Sequence, residues 1–178
     1  GLSGTIYVSS DNIFVATYDY YSNYERNVFG WIKVGENCCG ATRIVKISLD
    51  DLEQKAMTRI NGSIKDRYSL DEYNGYLRVA ATLYSINTSN AVYVLDQNLE
   101  LTDKIENIAK GERIYAVRFN EDTGSLVTFE QIDPYYRLDL SDPYDIGISD
   151  GLKKPGVSYY LHYIEGTDYT IGIGRSSD

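Results

Sequence analysis

Carboxylates are the side chains of this sequence best equipped for chemistry, and they come in groups: Asp71 with Glu72, Glu121 with Asp122, Asp139 with Asp142 and Asp145, and Glu165 with Asp168. Two carboxyl groups flanking a sugar suffice for glycoside hydrolysis, at about 5–5.5 Å for retention or roughly 6.5–9.5 Å for inversion. Asp and Asn in such short polar stretches also bond nearby backbone amides, and Asp-Pro begins turns. Turn chemistry is therefore the expectation, with hydrolysis the alternative. Asp-rich loops offer hard oxygen ligands to calcium, but no EF-hand spacing is present, so no cofactor is required and calcium is a weak signal.

His162 is the sole imidazole. A Ser-His-Asp or Cys-His arrangement would have to use it, and no G-x-S-x-G elbow accompanies it. A strand-end hydrogen bond is the plainer role. Cys38 and Cys39 are neighbours and can bridge each other only under strain; by themselves they also lack the further ligands zinc takes. Both read as loop residues. Gly172-x-Gly174 lacks a third glycine and a βαβ setting, so a dinucleotide site is unsupported. Asn61-Gly62-Ser63 and Asn87-Thr88-Ser89 fit a glycosylation pattern that is common by chance.

Tyrosine is over-used, with 18 Tyr against 4 Phe and 1 Trp. Its ring suits half-buried strands and its hydroxyl reaches water; the same property suits an aromatic binding surface. Tyr135, Tyr136, Tyr159, Tyr160, His162 and Tyr163 are the candidate ligand-binding residues on that second reading.

These residues must be held by strands, because period-two alternation dominates the sequence. Thr5–Ser9 and Asn12–Thr17 flank a turn at Ser10-Asp11, and Thr42–Leu49 follows. Asp50–Met57 fits either a helical turn or a loop into a strand over Ala56–Ile64. Next come Arg67–Leu70, a turn over Asp71–Gly75, Tyr76–Ala81, Ala91–Asp96 and Leu99–Ile105. A third group is Ile114–Phe119, a turn over Asn120–Gly124, Ser125–Phe129, Tyr135–Leu140 and Tyr144–Ile148. The last pair is Tyr159–Tyr163 and Tyr169–Ile173, joined by a turn over Glu165–Asp168.

First strands start near residues 5, 67, 114 and 159, in steps of about 62, 47 and 45; a four-stranded propeller blade takes roughly 40–50 residues. The fold predicted is all-β, a partial β-propeller of three four-stranded antiparallel blades at 5–64, 67–105 and 114–148, plus the inner half of a fourth at 158–175. An insertion at 19–40 accounts for the long first step. A sandwich would supply no fixed repeat. Closed propellers have about 4–8 blades, so an arc of a larger ring is expected, completed by flanking blades of a parent protein or by self-association through its open edges. The start lacks a Met or a signal peptide and the end follows an apolar run, so an excised piece with more chain after it is expected.

Composition narrows the function. At 178 residues, 43% hydrophobic and 24% charged, the sequence has the make-up of one globular domain. Its net charge of −9 disfavours nucleic acid, and every apolar run is too short for a membrane helix. Membrane attachment would need parts outside this chain.

The segment Asp66-Arg67-Tyr68-Ser69-Leu70-Asp71-Glu72-Tyr73-Asn74-Gly75-Tyr76-Leu77-Arg78-Val79-Ala80 resembles a family of secreted bacterial and archaeal proteins with a C-terminal β-propeller distantly related to WD-40 repeats. The likeness runs through Val92–Asp96, Ile105–Tyr115, Val117–Phe119, Asp133-Pro134, Asp139–Pro143, Leu161-His162 and Gly172–Arg175. Tyr163 departs from the family, which tends to place Pro after the His. The resemblance implies a secreted or cell-surface propeller of no established activity. The expected function is a non-catalytic binding or scaffold module for a protein or glycan, with a polysaccharide hydrolase as the alternative. Net negative charge favours neutral or cationic ligands.

Overall fold

The computed structural model describes residues 4–19, 24–27, 30–33, 40–85, 87–129, 133–154, 157–164, 167 and 169–175. Among the described residues, seventeen strands appear in chain order: β1 Gly4–Val8, β2 Asn12–Asp19, β3 Tyr24–Asn27, β4 Gly30–Lys33, β5 Ala41–Ser48, β6 Gln54–Asn61, β7 Leu70–Tyr73, β8 Tyr76–Leu83 and β9 Ser89–Leu95. They continue as β10 Leu101–Ile108, β11 Arg113–Asn120, β12 Thr123–Phe129, β13 Asp133–Asp139, β14 Gly147–Ile148, β15 Leu152–Lys154, β16 Val157–Tyr163 and β17 Thr170–Arg175.

All pairings are antiparallel. The first sheet is β1-β2-β5-β6, the second β7-β8-β9-β10, and the third β11-β12-β13 with β14 and β15 sharing the far edge of β13. β16 and β17 form a two-stranded sheet, and β3 and β4 a separate ribbon between β2 and β5. The fold is all-β, with three sheets of four-stranded type and a half-sheet, the arrangement of propeller blades.

Alternation covers both faces of the second sheet. Leu77, Val79, Ala81, Ala91, Tyr93 and Leu95 pack with Phe14, Ala16, Ile44 and Ile60 of the first sheet. The intervening Ala80, Val92 and Val94 pack with Val117, Leu126 and Leu138 of the third. Ala116, Val127 and Leu161 join the third sheet to the half-sheet. Among the described residues the face of the first sheet opposite Phe14 has no such cover: Ile6, Val8 and Met57 are exposed, in register with Val15, Ile13 and Val45 respectively.

The third residue of each second strand reaches toward the following sheet, with a different chemistry each time. In β2 it is Phe14, whose ring lies under the Lys46 ammonium at 5.8 Å. In β8 it is Arg78, which is 3% exposed, pairs with Asp71 and donates to the Glu121 carbonyl at 2.7 Å. In β12 it is Ser125, whose hydroxyl sits 2.8 Å from the Tyr163 hydroxyl of β16.

Some local expectations are corrected. Arg67–Ser69 forms a 3-10 turn rather than a strand, because Asp66 accepts from the Tyr68 amide at 2.9 Å while Ser69 Oγ accepts from the Asp66 amide. Asp71 and Glu72 lie in β7, not in a turn. The hairpin shrinks to Asn74-Gly75, both at positive φ (52° and 81°), the type I′ geometry that these two residues favour. The helical alternative at 50–57 is replaced by a turn and β6. Pro143–Asp145 is turned, leaving only Gly147–Ile148 as β14. Cys38, Cys39, Glu165 and Asp168 lie outside the described residues.

Candidate functional site

Each sheet begins with a strand at one edge, β1, β7, β11 or β16, and these edges approach one another. The Arg67–Ser69 turn contacts β1, β8 and β11, and β11 contacts β16. Their side chains build a cleft of ≈310 Å³ lined by Ile6 and Val8 on one side and by Arg67, Tyr68, Asp71 and Arg118 on the other. Tyr68 is the hub. The Arg118 guanidinium lies 4.2 Å from its ring centroid and that of Arg67 4.9 Å, and Arg67 Nη2 donates to the Tyr68 hydroxyl at 3.0 Å. Tyr160 meets the Tyr68 ring edge-on at 6.0 Å and lies 5.8 Å from Arg118. His162 stacks beside Tyr160 with 6.2 Å between centroids and 18° between planes.

Among the described residues, no carboxylate lies within ion-pair distance of Arg67 or Arg118. Asp71, the acid of the cleft wall, is committed to Arg78. The Arg67 hydrogen bond, with the charge of Arg67 and then Arg118 behind it, holds the Tyr68 phenol below its ordinary pKa. Two cations stacked on an aromatic ring with no ion-paired carboxylate among the described residues are an anion-accepting arrangement.

Of the five candidates whose side chains are described, Tyr160 and His162 join this cluster. Tyr135 and Tyr163 both bond Ser125, at 2.6 and 2.8 Å, and so tie the third sheet to the half-sheet. Tyr136 packs against the core between the second and third sheets, where burial raises its phenol pKa. The Tyr159 side chain lies outside the described residues. His162 is the last residue but one of β16, with Nδ1 3.4 Å from the Tyr160 hydroxyl.

The acids sort by position in the sheets. Asp51, Asp66, Asp96, Asp139 and Asp142 accept from amides two or four residues on, as turn residues do. Asp71 and Glu72 instead lie within a strand: Asp71 pairs with Arg78 of its own sheet, whereas Glu72 bridges to the first sheet, taking the Asn12 amide on both oxygens at 2.9 Å, the Ser9 hydroxyl, and an ion pair with Lys46 at 3.3 Å. Among the described residues no group of three or more His, Cys, Asp or Glu could hold a metal ion.

Strand direction then separates the charges. Turns joining first to second and third to fourth strands share one rim, as the bond from the Leu49 amide to the Asp11 carbonyl shows; that rim carries Asp11, Asp50, Asp51, Asp96, Glu121, Asp122 and Asp142. Connections from one sheet to the next share the other rim and carry Lys65, Arg67, Lys110 and Arg113 with the acids Asp66 and Glu112. Bases outnumber acids on this second rim, whereas Arg118 lies three residues before Glu121 of the acidic one.

Repeated sheets, alternate faces buried on both sides and first strands gathered at one hub are joined by a decisive comparison, since a family described as a β-propeller domain matches residues 1–178. The chain belongs to the β-propeller domain family. This propeller is 45% identical over 157 residues to an uncharacterized protein of Archaeoglobus fulgidus, covering 88% of this chain and 24% of that protein. It is 42% identical over 141 residues to an uncharacterized protein of Methanocaldococcus jannaschii, covering 77% and 22% respectively. The chain therefore spans less than a quarter of the length of these curated relatives.

Sequence reasoning missed Arg67, Tyr68 and Arg118 as site residues. Arg67-Tyr68 and Arg118 are far apart in sequence and belong to different blades. The available signal was the repeat phase: Arg67 and Tyr68 immediately precede one inner strand, and Arg118 lies within the next.

Proposed function

We infer that this propeller domain is an extracytoplasmic, ligand-holding part of a longer protein, and that the ligand is held at the inner-edge cluster of Arg67, Tyr68, Arg118, Tyr160 and His162. The observation that carries this reading is the pair of guanidinium groups stacked on Tyr68 with no carboxylate partner among the described residues. Stacking holds each planar fork in place before a ligand arrives, so little side-chain entropy remains to be lost on binding. Resemblance to a secreted family supports the compartment, and no helix among the described residues is long and apolar enough to cross a membrane.

The hydrolase alternative has weaker support. Asp122 and Asp139 line one cleft of ≈550 Å³ on the third sheet. However, Asp139 accepts from the Ser141 hydroxyl at 2.7 Å and the Ser141 amide at 3.1 Å, which hold its pKa below the usual carboxylate value. A general acid needs the opposite shift.

The test is retention of the immobilised chain on a panel of glycans and proteins. Arg118→Ala and Tyr68→Ala are expected to abolish retention of the bait that binds wild type, while circular dichroism melts show that both variants, at half-buried positions, remain folded. Unchanged retention of every bait by both variants overturns the assignment.

A further inference from the structure

The cluster just described sets a requirement on its ligand that the overall charge conceals. We propose that it binds an acidic polysaccharide, with the carboxylate of a uronic-acid unit on Arg118 and Arg67 and a sugar ring against Tyr160. This deepens the binding-module reading and rests on it. The guanidinium groups converge on Tyr68 from separate blades, at 4.2 and 4.9 Å, and each retains N–H donors suited to the two oxygens of a carboxylate. Beside them the nearly parallel Tyr160 and His162 rings, 18° apart, make a partly exposed flat platform. Flat apolar ring faces match the C–H face of a sugar, whereas the flexible acid side chains of a peptide present no such face.

Ligand charge density is limited from both sides. The chain carries −9, so a dense polyanion is repelled as a whole, and a polymer with one carboxylate per ring is the anion that a local pair of cations still attracts. The ≈310 Å³ cleft is at the small end of ligand sites, suited to one or two sugar units. Its other wall, exposed Ile6 and Val8, offers no donor that would select a more highly charged group.

The experiment measures calorimetric binding of trigalacturonate, neutral galactotriose and pentaglutamate to the whole 178-residue chain and to Arg118→Gln, Arg118→Lys and Tyr160→Ala. Trigalacturonate is expected to bind, and galactotriose and pentaglutamate to bind at least tenfold more weakly. Arg118→Gln is expected to lose roughly ten- to a hundredfold in affinity, as for a charged hydrogen bond, with partial recovery in Arg118→Lys; Tyr160→Ala loses several-fold. Circular dichroism melts verify that each variant is folded. Equal or tighter pentaglutamate binding overturns the proposal in favour of an acidic peptide. Galactotriose binding that Tyr160→Ala weakens, without trigalacturonate binding, overturns the charge requirement and leaves the binding-module reading intact. Indifference of every variant to every probe that binds overturns both, and so does binding of none of the three when the bait panel also shows no dependence on Arg118 or Tyr68.

Discussion

Removing the Arg78 side chain should separate the second blade from the third, and the structure says by how much. Arg78 is 3% exposed, its guanidinium pairs with Asp71, and it donates to the Glu121 carbonyl at 2.7 Å. The Tyr73 and Phe119 rings lie 5.1 and 5.7 Å away. Breaking a buried ion pair costs about 3–5 kcal/mol when the abandoned charge stays dry. In Arg78→Met the abandoned charge is Asp71, whose side chain is 28% exposed and can rehydrate, while Met keeps most of the apolar stem. The expected loss is therefore about 2–4 kcal/mol, including the unpaired Glu121 carbonyl. At this length that corresponds to roughly 4–16 °C in melting temperature. Asp71→Asn leaves the more deeply buried partner uncompensated and should cost as much or more. The double variant should lose less than the sum of the two, because neither charge remains. Urea denaturation of all four proteins supplies the cycle. A loss under about 1 kcal/mol for Arg78→Met, or strict additivity in the double variant, would refute the assignment of Arg78 as a strut between blades.

Other expectations are as direct. Gly62 has φ +93°, and a Cβ there would sit 2.7 Å from the Thr82 carbonyl oxygen, so Gly62→Ala should destabilise by more than about 1 kcal/mol in the same denaturation assay. Burial, reinforced by Glu106, pushes the Tyr93 phenol pKa well up. Its contribution is intact below the unfolded value of about 10 and is lost as pH rises through the alkaline range. Tyr93→Phe should lose about 1 kcal/mol at neutral pH, from the missing bond to the Asn61 carbonyl at 3.2 Å, yet show less alkaline sensitivity in pH-dependent melts. Ser125→Ala unpairs the Tyr135 and Tyr163 hydroxyls; amide exchange should quicken in β16 and β17 while β8 and β9 keep their protection.

Strand existence was legible because burial on two faces writes itself into local alternation, as in Tyr76–Leu83. The entry to the second blade was harder. Asp66-Arg67-Tyr68-Ser69 carries a capping signature, but the β-favouring Tyr68 next to Leu70 reads equally well as a strand. Asp71 and Glu72 read as turn residues because two adjacent acids are poor strand formers; Arg78 and Lys46 neutralise them, and Lys46 belongs to another sheet. The cluster at the hub was hidden for the same reason. Tyr160 and His162 stood out by composition, whereas Arg67 and Arg118 acquire meaning only when inner strands from separate blades converge on Tyr68.

The three unlike residues that lead from each second strand, Phe14, Arg78 and Ser125, also fix the order of assembly. A repeat protein risks seating a leaflet on the wrong neighbour, because all leaflets share one backbone plan. Here a misplaced second leaflet would bury a guanidinium where no carbonyl waits for it, and a misplaced third would leave a hydroxyl facing hydrocarbon. Each joint accepts its own successor, so the order of these sheets is encoded joint by joint.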